Sequence, residues 1–545
     1  MRWIWFPALL LLGVGLGRID AAAPMLARPA LRTGLSPATD DAVRVANRID
    51  QMIVAGHIKE RVVAAPLTSD SAFLRRVSLD IVGRIPQVSE ARKFLGESSP
   101  EKRAAAVERL LDSPGYVNHF TSMWLALLMP EASNDFQRRG MQIGVHTWLR
   151  QHFADNTPYD KIVRELIALP MGQNNGMGNL GGNYYGNSQS SPMAFYIAKS
   201  GKPEELAASV SRLFLGVRLE CAQCHDHPFG KWKREEFWSQ ASFFAGLKGN
   251  MQGDVFYGPL TEVSDRRELT IPNTDRVAQA RFLDGKSPKW KFKVSARTSL
   301  ADWMTAKDNP FFAKALVNRM WAHFFGIGLV DPIDDLVDDH HASHPEVLDL
   351  LVKEFVAHDF DLKFLIRAIT LSRTYQVSSA GDATSQAEPR VYTRMQVRGL
   401  TGEQLYDSLV MASGIRDITN FQQRIYNFGT PRGIFLDRFA DQEKRTEYYT
   451  SIPQALTMMN NQIILDATHP DRGETLGAVT SSTFMTTASK IETLYLAALS
   501  RKPTPTEAAK FARYVERDKS LASQKKALSD VFWALLNSTE FKFNH

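Results

Sequence analysis

Apolar residues recur at every third or fourth position along most of this chain, the spacing of one face of an α-helix. Between Asp40 and Ile53 that face is Val43, Ala46, Ile49 and Ile53. Between Ser71 and Val82 it is Phe73, Leu74, Val77 and Ile81, ended by Gly83 and Pro86. Ser89 offers a cap for a run to Leu95, and a helix opening at Pro100 carries Ala106, Val107, Leu110 and Leu111. Pro203-Glu204-Glu205 opens another helix, with proline and acids in its first turn. Its stripe of Leu206, Val210, Leu213, Phe214 and Val217 runs toward residue 221, and Pro228 stops the run. A helix from Arg234 to Phe244 carries Phe237, Trp238, Phe243 and Phe244, a wall that fits a core better than the edge of a bound group.

The texture changes over residues 249–296, where Gly, Pro and short alternating runs such as Trp290-Lys291-Phe292-Lys293-Val294 suggest strands and loops. Helical spacing returns near Arg297. Asn309-Pro310 caps a helix reaching Phe325 and closed by Gly326, and Ser343-His344-Pro345-Glu346 has capping-box form before Val347, Leu350, Leu351 and Phe355. The expected fold is mainly α, two helical modules joined by a small β-containing segment. The expected division is 1–23 signal peptide, 24–40 linker, 41–248 first module, 249–296 β-containing linker or insert, and 297–545 second module.

The leading segment supports export. Arg2 supplies a positive start, Trp3 to Leu16 is nearly all apolar, and Ala21-Ala22-Ala23 offers small residues for cleavage. That apolar run is shorter than the ~20 residues a membrane span needs, so the product is expected to be periplasmic or secreted, without a span after cleavage. The linker 24–40 holds Pro24, Pro29 and Pro37. Residues 172–191 form a Gly/Asn/Ser-rich loop of a length usually either functional or unstructured. With 44% hydrophobic and 23% charged residues, composition is ordinary for a globular protein. The net charge of +6 is spread without basic blocks, which argues against nucleic acid as a partner.

Both cysteines of the 545-residue chain fall in Cys221-Ala222-Gln223-Cys224-His225-Asp226-His227. Chance gives this C-x-x-C-H arrangement roughly one time in ten thousand, and it reads as a c-type haem attachment site. On a helical turn, positions i, i+3 and i+4 share one face, so Cys221 and Cys224 can reach two haem vinyl groups while His225 binds the iron. Asp226 or a backbone carbonyl can hold the other ring nitrogen of His225. His119, His323, Met123 and Met251 are candidates for the opposite axial ligand. Zinc held by Cys221, Cys224, His225 and His227 is an alternative, although structural zinc usually draws ligand pairs from two separated segments. A Cys221–Cys224 disulfide closes a loop worth only about 2 kcal/mol, and a thioredoxin-like dithiol wants a βαβ context that is missing here. A weaker metal candidate is His340, His341 and His344 in their Asp-rich setting.

Phe73-Leu74-Arg75-Arg76-Val77-Ser78-Leu79-Asp80, Leu110 to Tyr116, Asn156 to Lys161 and Leu213 to Glu220, followed by the cysteine motif, resemble the planctomycete cytochrome-type domain of unknown function. Leu300-Ala301-Asp302-Trp303, Asn318 to Gly326, Ser372 to Gln376, Arg398 to Leu405 and Trp533 to Phe541 resemble the planctomycete secreted domain of unknown function, which usually follows the first. The resemblance implies an exported bacterial protein and names no activity. Relatives often carry a further cytochrome c domain, but this chain has no second C-x-x-C-H. No H-E-x-x-H, G-x-S-x-G or phosphate-binding glycine loop is present, and whether the protein is an enzyme stays open. The first expectation is an exported redox or electron-transfer protein with haem c on Cys221, Cys224 and His225 and an unidentified redox partner. The alternatives are an exported metal-dependent, zinc-like hydrolase or a metal-stabilised binding protein, and an interaction protein with a local disulfide.

Overall fold

The computed structural model describes residues 37–130, 136–172, 190–227, 230–252, 255–336, 342–380, 388–415, 430–439 and 452–545. The expected signal peptide, residues 24–36 of the linker and residues 173–189 of the Gly-rich loop lie outside the described residues, as do His340 and His341.

Helices begin where the periodicity places them, with shifted ends. Helix α1 spans Pro37–Glu60, so the last residues of the expected linker are already helical. Helix α2 (Asp70–Val82) is capped by Ser69 and stopped by left-handed Gly83. In α3 (Val88–Gly96) the capping residue is Gln87, paired with Glu90, rather than Ser89. Next come α4 (Lys102–Leu111), α5 (Pro114–Leu128), α6 (Phe136–Ala154), α7 (Tyr159–Ile167), α8 (Met193–Ala198), α9 (Pro203–Val210) and α10 (Arg234–Ala241). After the β-containing segment come α11 (Ala296–Met304), α12 (Phe312–Phe325), α13 (Pro345–Ala357) and α14 (Leu362–Thr370). Asn309 caps α12 by accepting from the N–H groups of Phe311 and Phe312. The capping box expected at α13 does not form, because the Ser343 hydroxyl donates to the Leu329 carbonyl instead.

Among the described residues, strands are confined to two-stranded antiparallel ribbons: β1 (Leu247–Gln252) with β2 (Val255–Glu262), β3 (Glu268–Thr270) with β4 (Val277–Gln279), and β5 (Arg398–Gly399) with β6 (Phe543–Asn544). The alternating run Trp290 to Val294 is no strand. Lys293 takes a left-handed φ of 59°, Phe292 is 89% exposed, and the Trp290 ring lies under the Arg267 guanidinium.

The fold is mainly α. One apolar core takes side chains from Ala42 to Met395, with Leu496, and so from both sides of the β-containing segment; α1, for example, packs on α13 and α14. A second core gathers residues 400–541. Helix α2 lies between them, giving Phe73, Leu74, Val77 and Ile81 to the first and Leu79 to the second. Every residue from Phe73 to Val82 is therefore buried, including Arg75, Arg76 and Asp80.

Candidate functional site

The cysteine motif does not continue α9. That helix widens into a π-helical turn at Ser211–Leu215 and ends at Gly216, whose φ of 63° is left-handed. A β-carbon at Gly216 would lie 2.5 Å from Leu336 Cδ1, and the Leu336 N–H donates to the Gly216 carbonyl at 3.0 Å. Leu336 therefore packs where a side chain at 216 would stand, and only glycine makes this turn without strain. The chain buries Val217 and Leu219, then forms a short 3₁₀ turn, Glu220–Gln223. In such a turn side chains three apart eclipse one another, so positions 221 and 224 come to one side by a different route from the α-helical turn expected.

Ala222 anchors the turn in the core, while Cys221, Cys224, His225 and Asp226 are exposed and both thiols are free. His225 Nδ1 lies 2.7 Å from the Asp226 backbone carbonyl. A carbonyl only accepts, so Nδ1 is the donor, and in the neutral ring Nε2 then holds the lone pair a metal ligand needs. The Asp226 carboxylate points elsewhere, accepting the main-chain N–H of Arg234 at 2.9 Å, at the start of α10. The Gln223 carbonyl accepts from Trp238 Nε1 at 3.1 Å and Arg234 Nε at 3.3 Å, and Arg234 Nη2 reaches the Pro272 carbonyl at 2.7 Å. The periodicity of α10 marked its aromatics and gave no sign of Arg234, because these bonds go to main-chain atoms distant along the chain.

His227 follows a different path from His225. Its N–H donates to the Trp232 carbonyl at 2.8 Å and its ring lies over Gly230. Among the described residues, no three His, Cys, Asp or Glu side chains gather as a metal site. His344 is buried at the start of α13 with its ring against Gly56, and desolvation holds it below the usual histidine range. His323 is half-buried on α12: Nε2 donates to the Asp80 carbonyl at 2.9 Å, and its ring is 5.9 Å from that of His119. Met123 is half-buried against the first core, and the side chain of Met251 lies outside the described residues. The aromatic wall of α10 is core as well: Phe237, Phe243 and Phe244 are fully buried, and Phe243 stacks on Phe282 at 5.3 Å.

Residues 48–248 match the family model described as PSCyt2, a protein of unknown function (DUF1549), and residues 296–448 match PSD1, a protein of unknown function (DUF1553). The chain thus carries a PSCyt2 match followed by a PSD1 match, in that order. The cysteine motif lies near the end of the PSCyt2 segment, and Leu336, which blocks Gly216, belongs to the PSD1 segment. No curated protein and no solved structure matches the chain.

The residues present suit a covalently held haem. Two free, exposed thiols three residues apart are the groups that thioether attachment consumes, and a histidine proton-locked at Nδ1 offers Nε2 to iron.

Proposed function

We propose that this protein is an exported c-type haem protein serving redox or electron transfer. Cys221 and Cys224 would carry the haem through thioethers, and Nε2 of His225 would bind its iron. When bound, the haem supplies one-electron chemistry at a potential set by its axial ligands and surroundings. The chain's own contribution is orientation, through Asp226, whose carbonyl holds the His225 proton. That Nδ1–carbonyl contact beside two free thiols is the observation that carries the reading. Export is supported by the Arg2-to-Ala23 pattern, and among the described residues no helix is long and apolar enough to cross a membrane.

The test is expression in a host that exports the chain and possesses covalent haem-attachment machinery. The expected outcome is a Soret band that survives denaturation and haem peroxidase staining of the denatured polypeptide, both lost in a Cys221→Ser/Cys224→Ser double variant. A colourless, correctly exported protein sinks the proposal, and metal analysis of the same sample then separates zinc from a plain dithiol.

A further inference from the structure

We infer that Arg234 is the positioning residue of the Cys224-His225 segment, fixing the His225 tautomer before any group is bound. The inference rests on the reading of His225 as an Nε2 ligand and concerns how the chain itself prepares that nitrogen.

The segment is exposed and follows a single 3₁₀ turn, a conformation with poor hydrogen-bond geometry and little rigidity of its own. What holds it is α10. On the N-terminal side of Cys224, the Gln223 carbonyl accepts from the Arg234 guanidinium and from Trp238. On the C-terminal side of His225, the Asp226 carboxylate accepts from the Arg234 main-chain N–H. One residue thus ties down both ends of the Cys224-His225 dipeptide. The same guanidinium is braced from behind by the Pro272 carbonyl, at the turn between β3 and β4. Arginine suits this place because its planar fork presents several donors in fixed directions, whereas a lysine ammonium on a flexible stem can replace one contact at a time.

The consequence lies at His225. Its Nδ1 bond is to the carbonyl of the next residue, so it exists only while the Asp226 peptide keeps its orientation. The Asp226 carboxylate on α10 maintains that orientation, and the Gln223 anchor keeps the preceding turn in register. Released from these ties, an exposed neutral imidazole reverts toward the Nε2–H form favoured in water. The nitrogen needed for a metal is then protonated.

The experiment uses the full-length reduced chain without haem, labelled with ¹⁵N-histidine, at a pH high enough for neutral imidazoles. His225 is assigned by comparison with His225→Gln. In the wild type, His225 Nδ1 is expected to show the shift of a protonated ring nitrogen and Nε2 that of an unprotonated one. In Asp226→Ala, which removes the carboxylate tie, the two shifts should converge or exchange, with helical circular dichroism unchanged; Arg234→Ala keeps its main-chain N–H on Asp226 and loses the guanidinium contacts to Gln223 and Pro272, so it should move the shifts the same way by less, and Arg234→Lys should restore part of the wild-type pattern. A wild-type tautomer in folded Arg234→Ala and Asp226→Ala overturns the inference, as does an Nε2–H tautomer in the wild type. If Arg234→Ala fails to fold, Asp226→Ala and Arg234→Lys carry the decision. A purely structural arginine would lower stability without moving the His225 resonances. Haem staining plays no part here, so a colourless wild type defeats the haem proposal while the histidine spectrum separately decides the role of Arg234.

Discussion

The carboxylate of Asp80 accepts hydrogen bonds from side chains 295, 318 and 464 residues further along the chain: Tyr375 at 2.7 Å, Arg398 at 2.8 and 3.1 Å, and Asn544 at 2.8 Å. Asp80 and Arg398 are fully buried, so each charge has lost its water and depends on these partners. Burial, followed by the Asp80 charge, raises the Tyr375 phenol well above its ordinary range, which keeps it a donor. Beside this group Arg75 donates to the carbonyls of Ala498 and Phe541, and Arg76 to those of Tyr375 and Val377. Replacing Arg398 by Ala leaves Asp80 buried without its cation and is expected to cost about 3–5 kcal/mol, read as a lower urea midpoint. A loss no larger than that of an exposed Arg→Ala control would remove Asp80 from its central place. Phe73, Leu74, Val77 and Ile81 foretold one apolar stripe on α2, but nothing in their spacing told that a second layer covers the charged side of the same helix.

The π turn and Gly216 show how an element can end against a neighbour that its own residues do not reveal. The stripe of α9 runs on through Leu213, Phe214 and Val217 in sequence, and all three are buried, yet the helix ends at left-handed Gly216, with Leu336 packed where a side chain there would stand. Gly216→Ala combines left-handed strain of about 1–2 kcal/mol with a methyl 2.5 Å from Leu336 Cδ1. Gly285→Ala is the matched control, since Gly285 is also left-handed, at φ 82°, and has no atom within 4 Å of the added carbon. Chemical denaturation should show Gly216→Ala to be the more damaging, with the difference measuring the Leu336 contact. Equal losses would assign the effect to backbone strain alone. Ribbon β5–β6 is hidden from the sequence for a similar reason: its strands are two residues each, and Arg398 pairs with Asn544 far along the chain, too short and too distant for any alternating pattern to betray them.

For the whole molecule, acid should be destabilising well before the carboxylates titrate. Burial, with Arg150 nearby, holds His146 down to about 4, and burial with Arg75 nearby holds His545 down to about 4; His344 is displaced in the same direction. In the unfolded chain these rings return to about 6.5. Depressed folded values mean that the unfolded state takes up protons first, so stability should be level above pH 6.5 and decline as pH falls toward 4. Thermal unfolding midpoints across that window check this, and His146→Gln should make the decline shallower. A midpoint that holds steady from pH 6.5 to 4 would mean that the buried histidines are not linked to unfolding.

The helical class, the positions of α1 to α4, α9, α10, α12 and α13, and the C-x-x-C-H spacing were legible in the sequence alone, because they depend on spacings within one turn or a few. The stop of α2 at Gly83 follows from such a local rule. Tertiary structure alone decided the rest. It drew one core across both family segments, buried the Asp80–Arg398 pair, turned the chain at Gly216 and assigned Arg234 to the Gln223 and Asp226 anchors. Each of these joins groups far apart in sequence, or sends a side chain to a main-chain carbonyl. Neither leaves a period or a motif to read, since a carbonyl is the same at every residue and what lies opposite a helix face is set by the packing of the whole chain.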